Sequence, residues 1–317
     1  MNTFGRGLLL CLGLLLLWAA FIAPLSAYAP RSLKHAWQLG HVGLFAIWTY
    51  LFLCSAAKKL KAGPLIALAL LASLLLGFTI EWIQVGIGRE FSLSDLLLDL
   101  LGCLLGICLG LHQRLLTIPA TFKAGLFTLT ALFLLLATAP LAPILLDEFN
   151  MHRKFPVLAD FSSELEGQRW KGNVEIVQLA SEAGPHAALR IGIDTRHYSG
   201  ASLAHFYRDW RGYRYLHLEI FNPDRDSIKV TLRIHDDQHY GPGRGDYYDR
   251  YNRQFVIEHG WNSIRIELSD VAGAARERRI DLGRIQGLGL FTVDSPRHRD
   301  IYLARLRLST AIAGFEE

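Results

Sequence analysis

Up to about residue 146 the chain strings long apolar runs between short polar breaks, and from Phe155 onward its apolar positions fall at every second residue. The runs at about 7–25, 39–56, 64–84, 95–111 and 124–146 each come near the roughly 20 residues that a helix needs to cross a bilayer. They predict five membrane-spanning helices. The first resembles a signal peptide, but its best cleavage site, Ala27-Tyr28-Ala29, is followed by Pro30 and by further spans, so it is read as a span. In the second half, "YLHLEIF" sets Leu216, Leu218 and Ile220 against Tyr215, His217 and Glu219. "SIKVTLRIH" sets Ile228, Val230, Leu232 and Ile234 against Lys229, Thr231, Arg233 and His235, and "NSIRIEL" sets Ile264, Ile266 and Leu268 against Arg265 and Glu267. Short alternating strands between Gly, Asn, Pro and Asp turns predict an antiparallel β-sandwich. Tyr215, His217, Glu219, Thr231, Arg233, His235, Arg265 and Glu267 are expected to share one polar face of it.

Composition divides the chain at the same place. Before residue 150 there are nine Lys/Arg and six Asp/Glu, and after it 24 and 23. The second half is densely charged yet nearly neutral, so the net charge of +4 marks no nucleic-acid surface. All four cysteines (Cys11, Cys54, Cys103, Cys108) lie in the apolar half without CxxC spacing, as small membrane residues would. Lys58, Lys59 and Lys61 form the densest cation cluster, with Arg6, Arg114 and Lys123 expected on the same side. The positive-inside rule then places the N-terminus in the cytoplasm, and five spans deliver the C-terminal half outside a bacterial inner membrane.

This orientation gathers the costly residues of the apolar half. Glu81 and Gln84 end the third run, Asp95 and Asp99 begin the fourth, Arg89 lies in the loop between, and His41 opens the second. An ionisable group near hydrocarbon costs roughly 2.5–3.5 kcal/mol even on lenient scales, which points to a polar pocket at the outer membrane face. Glu81 and Asp95 are its candidate acid–base residues. Gly102 and Gly106 form a GxxxG pair suited to close helix packing. The succession of a His opening a span, E-x-x-Q, an Arg loop, and then Ser92, Ser94, Asp95, Gly102 and Gly106 resembles the VanZ-like membrane family over about residues 30–111. Asp99 departs from it, standing where that family usually has Asn. The resemblance implies cell-envelope work, associated by name with glycopeptide resistance, and no defined reaction.

The second half collects nine of the eleven tyrosines. Its run from "DWRGYRYLHLEIFNP" through "LRIHDDQHY" and "GWNSIRIEL" to a terminal strand resembles the galactose-binding-like jelly rolls over about 155–309. The likeness is to carbohydrate-binding modules and to the domain of complex I intermediate-associated proteins. The resemblance implies a glycan-binding jelly roll, often with a structural calcium. The expected fold class is therefore multi-domain: an α-helical polytopic membrane bundle over 1–150, then an all-β antiparallel jelly-roll sandwich. Glycan-contact candidates are His217, Glu219, Arg233, His235, Asp237, His239, Tyr240, Tyr247, Tyr248 and Arg265, because sugars are held by aromatic faces and planar polar groups. Asp236, Asp246 and Asp249 are the calcium candidates, without EF-hand spacing. HExxH, GxSxG and P-loop motifs are absent, so enzyme status is left open. The partners read from the sequence are the lipid bilayer and a cell-wall or lipid-linked glycan. The alternatives are an enzyme acting on a polyprenyl-linked glycan and an assembly protein whose β domain docks a protein partner.

Overall fold

The computed structural model describes residues 11–15, 29–57, 60–86, 91–113, 116–179, 186–241 and 245–311. The chain forms two compact units, one through Ile144 and one from Leu145.

The first unit is helical: α1 (Arg31–Gln38), α2 (Gly40–Ala56), α3 (Ala62–Gly86), α4 (Leu93–His112) and α5 (Ala120–Thr138), with α6 (Leu141–Lys154) leading into the second unit. Among the described residues, four helical stretches are long and apolar enough to cross a membrane: Arg31–Ala56, Ala62–Gly86, Leu93–His112 and Ala120–Lys154. The first of the five expected spans lies outside the described residues except for helical residues 11–15. Leu71, Leu75 and Trp82 on α3, and Phe122 and Leu135 on α5, are exposed. Where helix meets helix, small residues allow close approach. A Cβ on Gly102 would sit 2.5 Å from the Val42 carbonyl, one on Gly106 2.7 Å from that of Ala46, and one on Gly110 2.8 Å from Leu53 Cδ1. The expected glycine pair therefore packs α4 on α2 and runs one turn further. Ser92 caps α4, its hydroxyl accepting from Asp95 N at 3.2 Å.

The second unit is a sandwich of antiparallel sheets. Its strands are β1 (Val157–Ala159), β2 (Trp170–Gly172), β3 (Val174–Leu179), β4 (His186–Ile193), β5 (Tyr198–Leu203), β6 (Tyr215–Asn222), β7 (Ile228–Asp236), β8 (Tyr251–Ile257), β9 (Gly260–Glu267), β10 (Ile285–Val293) and β11 (Arg299–Ser309), with a short helix α7 (Leu268–Ala272) after β9. One sheet has the order β3-β4-β11-β6-β9, with β1 on β11, and the other the order β2-β5-β10-β7-β8. Alternation does the building: Leu216, Leu218 and Ile220 of β6 meet Val230, Leu232 and Ile234 of β7 in one core with Leu288 and Leu290 of β10. Midway along α6, Asp147 is buried and accepts from Arg169 Nε and Nη2 at 2.7–3.1 Å. That fully covered ion pair fixes the chain's entry into the sandwich.

Candidate functional site

The expected single polar face is two faces. Every alternation holds, but β6 and β9 belong to one sheet and β7 to the other, so their outward residues point to opposite sides of the sandwich. Tyr215, His217, Glu219, Arg265 and Glu267 lie on the first sheet, where His217 is paired in register with Arg265. His217 is buried, shares a 2.8 Å hydrogen bond with Ser309 Oγ, and is held below its ordinary pKa by burial and then by Arg307 and Arg265. Thr231, Arg233 and His235 lie on the second sheet.

At the end of β7 the second sheet does bring candidates together. The rings of His235, His239 and Tyr240 lie 4.8–5.2 Å apart. Burial, with His239, Arg233 and Arg250 adding, pushes His235 down to about 3, so it is the neutral base. His239 is held low by burial although Asp249 Oδ2 lies 3.3 Å from its Nδ1. Tyr247 and Tyr248 are about half exposed, with Arg276 3.3 Å above the Tyr248 ring.

The calcium candidates are engaged otherwise. Arg278 bridges Asp236 and Asp249 with contacts of 2.5–2.9 Å, which keeps the Asp249 carboxyl below its ordinary range. Asp246 accepts from the Tyr248 and Asp249 amides at 2.8 Å, capping the turn Tyr247–Asp249. Asp237 meets Arg284 at 3.3 Å. A guanidinium fills the place between Asp236 and Asp249 that a cation would take, so these aspartates do not form a calcium set.

Beside this cluster the outer face of the second sheet is hollowed into an open groove of about 410 Å³, bounded by Tyr198, Gly200, Ser202, Arg233, Arg250 and Phe291. The hollow exists because side chains are missing where strands meet. Register pairs Gly289 of β10 with Arg233 of β7 and Ser202 of β5, and Phe291 with Gly200. A Cβ on Gly289 would lie 3.2 Å from Ser202 Oγ, and one on Gly200 2.1 Å from the Leu290 carbonyl. Tyr198 stands over the rim, 64% exposed and edge-on to Phe291 at 5.8 Å. Such a trough offers C–H faces an aromatic surface and hydroxyls a row of donors. Of its residues only Arg233 was singled out from the sequence; Tyr198, Arg250 and Phe291 were missed. The alternating small residues of "YSGASL" and "GLGLF" were the available signal, legible only once β5, β10 and β7 are known to be neighbours.

In the helical unit the expected cluster assembles from the start of α2, the end of α3 and the start of α4. His41, Glu81, Gln84, Asp95 and Asp99 are all buried. His41 Nδ1 donates to Asp99 Oδ1 at 2.8 Å, and its Nε2 lies 3.9 Å from Asp95 Oδ2. Glu81 accepts from Ser92 N at 2.8 Å. Gly77 makes the room, since a Cβ there would lie 2.5 Å from Asp99 Oδ2. Arg89 lies outside the described residues. An imidazole between carboxylates can hold and pass a proton.

No family model matches the chain, and no curated protein does. Among solved structures it is similar to an exo-beta-agarase, with 15% identity and a TM-score of 0.40 over 49% of this chain and 25% of that one. It thus spans about a quarter of that protein's length. It is also similar to the family 11 carbohydrate-binding module from Clostridium thermocellum (15% identity, TM-score 0.38, 50% of this chain and 96% of that one). A third similarity is to a non-crystalline cellulose specific carbohydrate-binding module, CBM28 (9% identity, TM-score 0.34, 49% and 93%).

Proposed function

We propose that this chain is a multi-pass protein of a bacterial inner membrane that displays a saccharide-binding β-sandwich on the outer side. The groove on the second sheet carries the reading. It pairs an exposed Tyr198 and Phe291 with two guanidiniums over a floor of glycine and serine, which is the chemistry that pyranose rings require. The candidate saccharide is a cell-wall or lipid-linked glycan, given the apolar helices that precede the sandwich. The compact Lys58–Lys61 cluster supports a cytoplasmic N-terminus. The VanZ-like pattern is the finer reading of the helical unit, and its buried His41–Asp99 pair belongs to the same envelope role.

The test is a glycan array probed with the full chain in detergent, beside an alkaline phosphatase fusion after Leu308 that reports sidedness. We expect saccharide capture that Tyr198→Ala weakens about tenfold, within the 1–3 kcal/mol that one aromatic contact supplies, and phosphatase activity outside. An array without signal, or capture that Tyr198→Ala leaves intact, would remove the groove from the function.

A further inference from the structure

Four covered arginines of the sandwich have carboxylate partners, whereas Arg305 and Arg307 on β11 form no ion pair among the described residues. Arg169 has Asp147, Arg278 has Asp236 and Asp249, Arg299 has Asp224, and Arg190 has Glu175 and Asp300. The two that line the groove do not. Arg233 and Arg250 are both partly buried, each has a buried Nε with no hydrogen-bond partner, and neither forms an ion pair among the described residues. They are also neighbours. Arg233 faces Asn252 in register, two residues along β8's approach from Arg250, and its charge joins burial in lowering the Arg250 pKa.

Two like charges set side by side with part of their surface covered repel each other unless something neutralises them. The carboxylates nearest in sequence are already used: Asp236 and Asp249 are on Arg278, and Asp237 turns to Arg284. The rings beside Arg250 are phenolic, with Tyr247 5.7 Å from its guanidinium carbon, and supply no formal charge. A planar fork of N–H donors lying over glycine fits an oxyanion from outside the chain, because it can give paired hydrogen bonds to one carboxylate or sulfate.

We infer that the groove selects an acidic saccharide, a sugar bearing a carboxylate or a sulfate ester, with Arg233 and Arg250 closing on the anionic group while Tyr198 and Phe291 face the ring. This deepens, and rests on, the saccharide reading above. The rings at the rim favour a sugar over a bare anion or a phosphoglycerol headgroup, since neither of those presents a ring C–H face to stack.

The experiment is calorimetric titration of the full chain in detergent with hexagalacturonate, a sulfated carrageenan hexasaccharide and neutral cellohexaose. At least one acidic ligand should bind tenfold or more tightly than cellohexaose, and raising NaCl from 50 to 500 mM should weaken it severalfold. Arg233→Gln and Arg250→Gln, which lose the charge and the guanidinium fork while keeping a polar amide, should each cost about tenfold for the acidic ligand and little for the neutral one. Binding of the uronate alone or of the sulfate ester alone supports the inference and identifies the anion. Equal affinity for all three with no salt dependence overturns the acidic selectivity and leaves saccharide binding standing. Binding of none, or capture only on phosphatidylglycerol vesicles, overturns both. The salt dependence uses the unaltered protein, so a variant that fails to fold does not decide the matter.

Discussion

His235 is 3% exposed and flanked by two guanidiniums, so it folds as the neutral base. His217 and His239 are depressed too, by burial first. The sign follows from proton counting: below about pH 6.5 the unfolded chain takes up protons that these native rings refuse, so stability present above that pH is lost as pH falls. His235, native at about 3, contributes a loss of about 2 kcal/mol by pH 5 on its own. Asp249 and Asp160, both held low in the fold by their Arg278 and Lys154 partners against the opposing effect of burial, add to the loss near pH 4 and below. Thermal melts of the full chain followed by tryptophan emission should therefore show the sandwich midpoint falling from pH 7.5 to pH 5. A midpoint that is flat or rises over that range contradicts the neutral assignment.

At the scale of elements, α2 and α4 depend on absent side chains. Gly106→Leu would drive a branched chain into the Ala46 carbonyl and Thr49 Cβ, both 2.7 Å from its Cβ position, and overpacking of this kind costs about 1–3 kcal/mol. Gly125 on α5 has nothing within 4 Å, so Gly125→Leu serves as the matched control. The Gly106 variant should melt lower in detergent and the Gly125 variant should not; equal midpoints would show that the glycines do not set this packing. The GxxxG spacing was legible in the sequence, as was the grouping of His41, Glu81, Asp95 and Asp99, because apolar helices that alternate in direction across short polar breaks bring their ends together. The sheet assignment was not legible. A period of two tells which side of a strand faces the core, and both sheets of a sandwich face the same core, so Glu219 and Arg233 read alike while lying on opposite faces. The calcium set failed for a related reason. Arg278, which occupies the space between Asp236 and Asp249, comes from a loop 29 residues beyond Asp249, and sequence proximity gave no sign of it.

For the whole molecule, the proposed function assigns anchoring to a helical unit with leucines facing outward and recognition to a cysteine-free sandwich with its own core. The proposal places recognition on one sheet of the two. The first sheet also has an outward aromatic strip, Tyr302, Phe221 and Trp261, with ring centroids 5.1–6.2 Å apart, and it is the natural rival surface. Hydrogen exchange of the full chain, with and without saturating hexagalacturonate and cellohexaose, separates them. Bound saccharide should slow exchange in peptides covering Tyr198–Leu203 and Arg250–Ile257, the β5 and β8 borders of the groove, and leave Tyr215–Asn222 and Gly260–Glu267 unchanged. Protection confined to those first-sheet strands would contradict the assignment of binding to the groove.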